Sequence, residues 1–265
     1  MKKRMPTEFV FSVFALLLSG IVVHSIYLTV IRPNADAILA EQKAAIQADP
    51  EYIAEPSFFV IMRDPEQEAC FVLMLWAFAI LGYKGWRARL EAQLLQQEFI
   101  PIAEGMKILP EDTREYTRAI QGLAYDEQRM FLPRVLLSAL ARFGATRNVQ
   151  DVSSVTHTLV ANEAERLESE LSMIRYIAWA IPSIGFIGTV RGIGGALAQA
   201  HRAVEGDISG VTENLGVAFN STLIALLISI VLMFIVHQLQ LTQERLVFDT
   251  ENYVDEHLIR HMQSG

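Results

Sequence analysis

Apolar positions along the chain gather into four blocks, separated by stretches rich in charge. The first, Phe9 to Ile31 (FVFSVFALLLSGIVVHSIYLTVI), has no Asp, Glu, Lys or Arg and a single histidine, His24. Its 23 residues exceed the roughly 20 that a helix needs to cross a ~30 Å hydrocarbon core. The preceding Lys2, Lys3 and Arg4 give it the look of a signal peptide. The block is too long for that, however, and no small-residue cleavage site follows before Arg32-Pro33, so a retained anchor is expected. The second block, Ala69 to Tyr83, has only 15 residues. Lys84, Trp86 and Arg87 extend it, because Lys and Arg snorkel and Trp favours the interface. The third runs from Tyr176 to about Ala200 and is interrupted by Arg191, and the fourth is the charge-free Leu215 to Val236.

The connections predict an orientation. Between Arg32 and Glu68 there are three basic residues (Arg32, Lys43, Arg63) against eight acidic ones, whereas Lys84 to Arg175 holds twelve basic residues. Lys and Arg favour the cytoplasmic side. Both termini and the segment 84–175 are therefore expected inside, with 32–68 and about 200–213 outside. The expected division is 1–31 (N-terminus and first span), 32–68 (periplasmic), 69–86 (second span), 87–175 (cytoplasmic helices), 176–240 (third and fourth spans) and 241–265 (C-terminal helix). In the outer segment, Asp36 to Ala48 reads as a separate short helix after Pro33. Inside, helices are expected over Arg87 to Phe99, Glu111 to Ala124 and Asp126 to Phe143, the last kinked or restarted at Pro133.

From Asp151 onward Val152, Val155, Leu159, Leu167, Leu171 and Ile174 share one helical face, with Glu163, Glu165, Arg166, Glu168 and Glu170 mostly on the other. No breaker precedes Pro182, so this helix should run into the third span. Gln238 to Met262 likewise continues the fourth. The fold class is thus all-α, an integral membrane protein with four transmembrane helices and long cytoplasmic helical extensions.

Composition adds exclusions. The chain has 265 residues, 52% of them hydrophobic and 20% charged, with a net charge of −8. An acidic balance argues against a nucleic-acid binder. A single cysteine, Cys70, excludes an internal disulfide framework and a Cys-based zinc site. No nucleophile elbow, zinc-binding His pair or in-span Asp pair points to an enzyme, and no cofactor or metal site is expected.

In the third span, Pro182 removes a backbone hydrogen bond and should bend the helix. Gly185, Gly188, Gly192 and Gly195 recur every three or four positions, a spacing that lets helix backbones approach closely. The fourth span holds Asn220, Ser221 and Thr222 in succession. Consecutive helical residues point about 100° apart, so only one or two can line a shared surface, Thr222 first and Ser221 second. The four blocks contain no Asp or Glu, so a carboxylate relay across the membrane needs another chain to supply the acid. Glu205, Asp207 and Glu213, in the outer connection, could concentrate cations.

The run Pro182 to Leu197 (PSIGFIGTVRGIGGAL) resembles the signature of the MotA/TolQ/ExbB proton-channel family, and AFNSTLIALLIS in the fourth span resembles that family's second conserved run. The close resemblance covers about residues 170–240, and the four spans are more like MotA than the three-span TolQ and ExbB. It implies a homopentamer in the bacterial inner membrane around a dimer of a single-span, Asp-bearing protein like MotB, ExbD or TolR, with proton flow driving rotation or force. Thr189 and Thr222 match the family's two channel-lining threonines, and Pro182 its proline. Ala225 and Val217 depart from it. Arg191 also departs, and is read as a gate, an interface cation or a snorkelling residue. The resemblance leaves flagellar, transport and defence tasks, and H⁺ against Na⁺, undivided. The competing reading is a non-conducting membrane scaffold that recruits a cytoplasmic complex.

Overall fold

A computed structural model describes residues 7–49, 52, 55–101 and 106–263. Lys2, Lys3 and Arg4 lie outside them. Of the described residues 85% are helical, and no strand occurs among them. Helices α1 (Thr7–Ile26), α2 (Arg32–Ala48), α3 (Phe58–Ile61), α4 (Pro65–Leu94), α5 (Thr113–Gln121), α6 (Tyr125–Gln128), α7 (Phe131–Thr146), α8 (Val149–Ala198), α9 (Ala200–Val204) and α10 (Ser209–His257) follow in order. Among the described residues four stretches are long and apolar enough to cross a membrane: Phe9–Ala48, Pro65–Leu94, Val149–Ala198 and Ser209–His261. At most a third of each apolar window is buried within the chain, which leaves the rest for lipid or other chains.

Several boundaries differ from the sequence expectation. No separate helix begins at Asp36. A π-helical turn, Tyr27–Ile31, joins α1 directly to α2, and the Arg32 N–H donates to the Tyr27 carbonyl. Pro33 has no N–H to give and its ring crowds the preceding turn. The widened turn just before it lets the helix continue. Helix α4 stops at Leu94 instead of reaching Phe99, because Phe99 and Ile100 turn inward and are buried. The Asp126 to Phe143 stretch is two helices, and α7 restarts at Phe131 with Pro133 in its first turn, where a missing N–H costs nothing. As expected, α8 runs unbroken for 50 residues through Pro182, and α10 for 49.

The chain divides into two compact units, and α4, α8 and α10 supply residues to both. One unit comprises 1–82 and 173–236. Its core is built on small side chains, with Cys70, Ala77, Ala178, Ala218 and Ala225 buried beside Ile177, Ile181 and Leu232. Larger residues such as Phe186, Phe219, Ile230 and Phe234 point outward. Side chains this small bring backbones together, and dispersion across a close contact replaces the hydrophobic drive that lipid removes.

The other unit comprises 83–172 and 237–265. It has a conventional apolar core centred on α7, whose Phe131, Val135, Leu136, Ala139, Leu140 and Phe143 are almost wholly buried against Ile120, Val152, Val254 and Leu258. The Tyr253 hydroxyl accepts from the Phe99 N–H (3.0 Å) and donates to the Gln97 carbonyl (2.9 Å), satisfying the turn where α4 ends. Glu163 does not lie on a solvated face. It is buried between Arg134 and Arg166, each 2.5 Å away. Nearby, Lys84 pairs with Glu170 at 2.7 Å.

Candidate functional site

The glycines of α8 set the geometry between α8 and α10. A Cβ on Gly185 would lie 2.5 Å from the Ala225 Cβ, and one on Gly192 2.6 Å from the Asn214 carbonyl oxygen. One on Gly188 would run into the Ser221 Oγ. Non-bonded carbons pack at about 3.5–4.0 Å, so no side chain fits at these three positions. Gly194, one step off this face, has nothing within 4 Å.

The close approach brings Thr189 and Thr222 into contact. Their hydroxyls are hydrogen-bonded to each other. Thr189 also reaches the Ala218 carbonyl at 3.0 Å, and Thr222 the Gly185 carbonyl at 3.0 Å. Both side chains are half-buried. Each hydroxyl has one proton and two lone pairs. Two protons therefore serve two carbonyls and one mutual contact, and two arrangements satisfy the geometry. Thr189 donates to Thr222 while Thr222 donates to Gly185, or Thr222 donates to Thr189 while Thr189 donates to Ala218. Exchanging them needs only hydroxyl rotation.

Ser221 is placed differently. It is buried against Gly188, and its hydroxyl donates back within its own helix, to Val217 at 2.7 Å with Ala218 at 3.2 Å. Pro182 cannot donate to the Ala178 carbonyl, its normal helical acceptor. The Ser229 hydroxyl of α10 donates there instead, at 3.0 Å.

Arg191 is held by two carboxylates of the segment that opens α4. It reaches both Glu66 oxygens at 2.7 and 2.8 Å and Asp64 at 3.3 Å. Two steps along a helix separate it from Thr189 by about 200°, so the cation sits away from the threonine pair. Burial raises the Asp64 carboxyl above its ordinary range, against the lowering pull of Arg191. His24 meets Glu68 at 2.6 Å, and Arg32 takes the other Glu68 oxygen at 2.5 Å. Asp207 accepts from the Ser209 N–H and hydroxyl at the start of α10, and Glu213 lies 3.8 Å from Lys43.

Sequence reasoning missed Asp64, Glu66 and Glu68, because hydropathy draws the second block from Ala69. Pro65 opening a helix with acidic residues in its first turn was the available signal. Among the described residues no cluster of His, Cys, Asp and Glu could hold a metal ion.

Residues 127–252 match the family model described as the MotA/TolQ/ExbB proton channel family. No curated protein and no solved structure matches the chain.

Proposed function

Residues 127–252 belong to the MotA/TolQ/ExbB proton channel family, and from that premise we propose that the chain is the channel-forming subunit of a motor driven by the proton-motive force. The observation that carries this reading is the Thr189–Thr222 pair, two half-buried hydroxyls bonded across α8 and α10 within blocks that contain no Asp or Glu. Hydroxyls alone do not titrate near neutrality, so the proton carrier comes from elsewhere. A single-span partner bearing an aspartate supplies it, and five copies of this chain surround two copies of that partner.

In this mechanism the threonine pair serves the partner's carboxyl. A protonated carboxyl donates to a threonine lone pair, and an ionised one accepts from a threonine hydroxyl. Both hydroxyl arrangements present lone pairs to a protonated carboxyl, and a threonine hydroxyl that turns away from its carbonyl offers its proton to an ionised one without moving the backbone. Alternate protonation of two partner carboxyls against a ring of such pairs biases rotation in one direction. The complex lies in the bacterial inner membrane with both termini cytoplasmic, as the Lys and Arg distribution favours.

The test is proton uptake by the chain reconstituted with its co-purifying partner. Thr222→Val, which keeps shape and removes the hydroxyl, should lower uptake by at least about tenfold, the scale of one lost donor to a charged group. Unchanged uptake would leave the chain a membrane scaffold. The absence of any single-span protein from intact complexes, or a dimer or tetramer by native mass spectrometry, would also defeat the reading.

A further inference from the structure

Within the unit formed by 83–172 and 237–265, α8 and α10 part to leave a groove of about 470 Å³. Glu165 and Glu168 line it from α8, and Glu244 and Glu251 from α10. No Lys, Arg or His lines it. Glu251 has a neighbour outside the groove, His157, at 2.6 Å, and Glu244 accepts from Gln240 at 2.8 Å. Beneath the carboxylates lie Leu171, 1% exposed, and Val247, 8% exposed, while Phe248 stands 62% exposed at the edge.

Gln243 adds a separate sign that something binds. It lines the groove and is 5% exposed, and its Oε1 is buried with no hydrogen-bond partner. An orphaned buried acceptor costs about 1–3 kcal/mol, which a donor in the groove would recover once the amide turns toward it. Apart from the two glutamine amides, the polar side chains lining the groove are carboxylates, which accept hydrogen bonds and carry negative charge. The complementary ligand is therefore cationic, rich in N–H donors and apolar on one side. A bare inorganic ion would leave the apolar floor and the length of the groove unused.

We propose that this groove docks a basic amphipathic segment, the cytoplasmic tail of the single-span partner. The identity of the partner rests on the function proposed above. By that topology the groove lies on the cytoplasmic side, and the segment of a single-span protein that flanks the membrane there is enriched in Lys and Arg. Its cations meet the four carboxylates, one N–H reaches Gln243, and its apolar face covers Leu171, Val247 and Phe248, in the manner of a helix laid into a groove. The contact tethers the partner outside the hydrocarbon, where charge pairing survives, and raises its effective concentration at the channel.

The experiment uses the full chain in nanodiscs of zwitterionic phosphatidylcholine. The probe is a fluorescein-labelled synthetic peptide of about twelve residues, with Lys on one helical face and Leu on the other. Fluorescence anisotropy should show saturable binding above that of empty discs. The triple variant Glu165→Gln/Glu168→Gln/Glu244→Gln should weaken it by about tenfold, as should raised salt. These three side chains are exposed, so the variant folds, and unchanged helicity by circular dichroism checks this. A peptide with Gln in place of Lys should not bind. Equal affinity for the parent and triple variant, or no binding above empty discs, overturns the proposal. So does disulfide cross-linking through the groove between cysteines placed in two copies of the chain, which would show a second copy as its occupant. Thr222→Val is measured in parallel. Peptide binding that survives while uptake ignores Thr222→Val sinks the channel reading and leaves the groove, and the converse result sinks the groove alone.

Discussion

The Ser229 hydroxyl donates to the Ala178 carbonyl at 3.0 Å, and Ala178 is the residue whose carbonyl Pro182 leaves without a helical donor. The proline and the serine are thus two halves of one arrangement across α8 and α10. Ser229→Ala should destabilise the chain by about 1 kcal/mol, from the loss of one interhelical bond to a buried carbonyl. In a Pro182→Ala background the restored backbone N–H can serve that carbonyl, so the same change should cost close to nothing. A double-mutant cycle on the unfolding midpoint in detergent reads the coupling, and additive effects would refute it.

The glycines of α8 divide sharply by what faces them. A Cβ at position 192 would meet the Asn214 carbonyl oxygen at 2.6 Å and the Ala218 nitrogen at 2.7 Å, both backbone atoms that no rotamer change can move. Gly192→Ala should therefore push α8 and α10 apart at a cost of about 2 kcal/mol or more. Gly194→Ala meets nothing and should gain about 0.5–1 kcal/mol, the usual advantage of Ala over Gly in a helix. Thermal unfolding of the two variants should move in opposite directions.

Arg191 and Glu66 form a bidentate pair in which the carboxylate is buried and the guanidinium is half exposed. Removing the arginine strands a buried charge, whereas removing both does not. Arg191→Met should lower stability by about 1–2 kcal/mol, discounted for the exposure of the cation. Arg191→Met/Glu66→Met should recover most of it. A double variant as unstable as the single would show that the pair is not what binds α8 to α4.

The spans and the close packing were legible in the sequence because hydrocarbon imposes coarse rules, length without charge and small residues at helical spacing. Pro182, Gly185, Gly188 and Gly192 could be picked out from their pattern alone. The partners of particular side chains could not. Glu66 and Glu68 fell outside the second block because hydropathy averages them against the apolar run that follows. Glu163 looked solvated because its two arginines come from its own turn and, through Arg134, from 29 residues away. Asp36 looked like a helix start because a widened turn that carries a helix past Pro33 leaves no trace in a pattern of periods. Thr222 was legible as the first candidate and Ser221 as the second. Only the register of α8 against α10 separates them, turning Ser221 onto Gly188 and Thr222 onto Thr189.

That register also makes the two threonines one device. If each hydroxyl acted by itself, Thr189→Val and Thr222→Val would reduce proton uptake independently and the double variant would multiply the losses. In the bonded pair, either substitution fixes the surviving hydroxyl on its own carbonyl, Gly185 for Thr222 or Ala218 for Thr189, and ends the exchange between arrangements. The double variant should then be no slower than the worse single one, the non-additivity expected of groups that work as a unit. Thr222→Ser keeps the hydroxyl and should retain uptake within about threefold, since it loses one methyl and no donor. Initial rates of uptake by reconstituted vesicles for the four variants test this, and multiplicative losses would reduce the pair to two separate helix contacts.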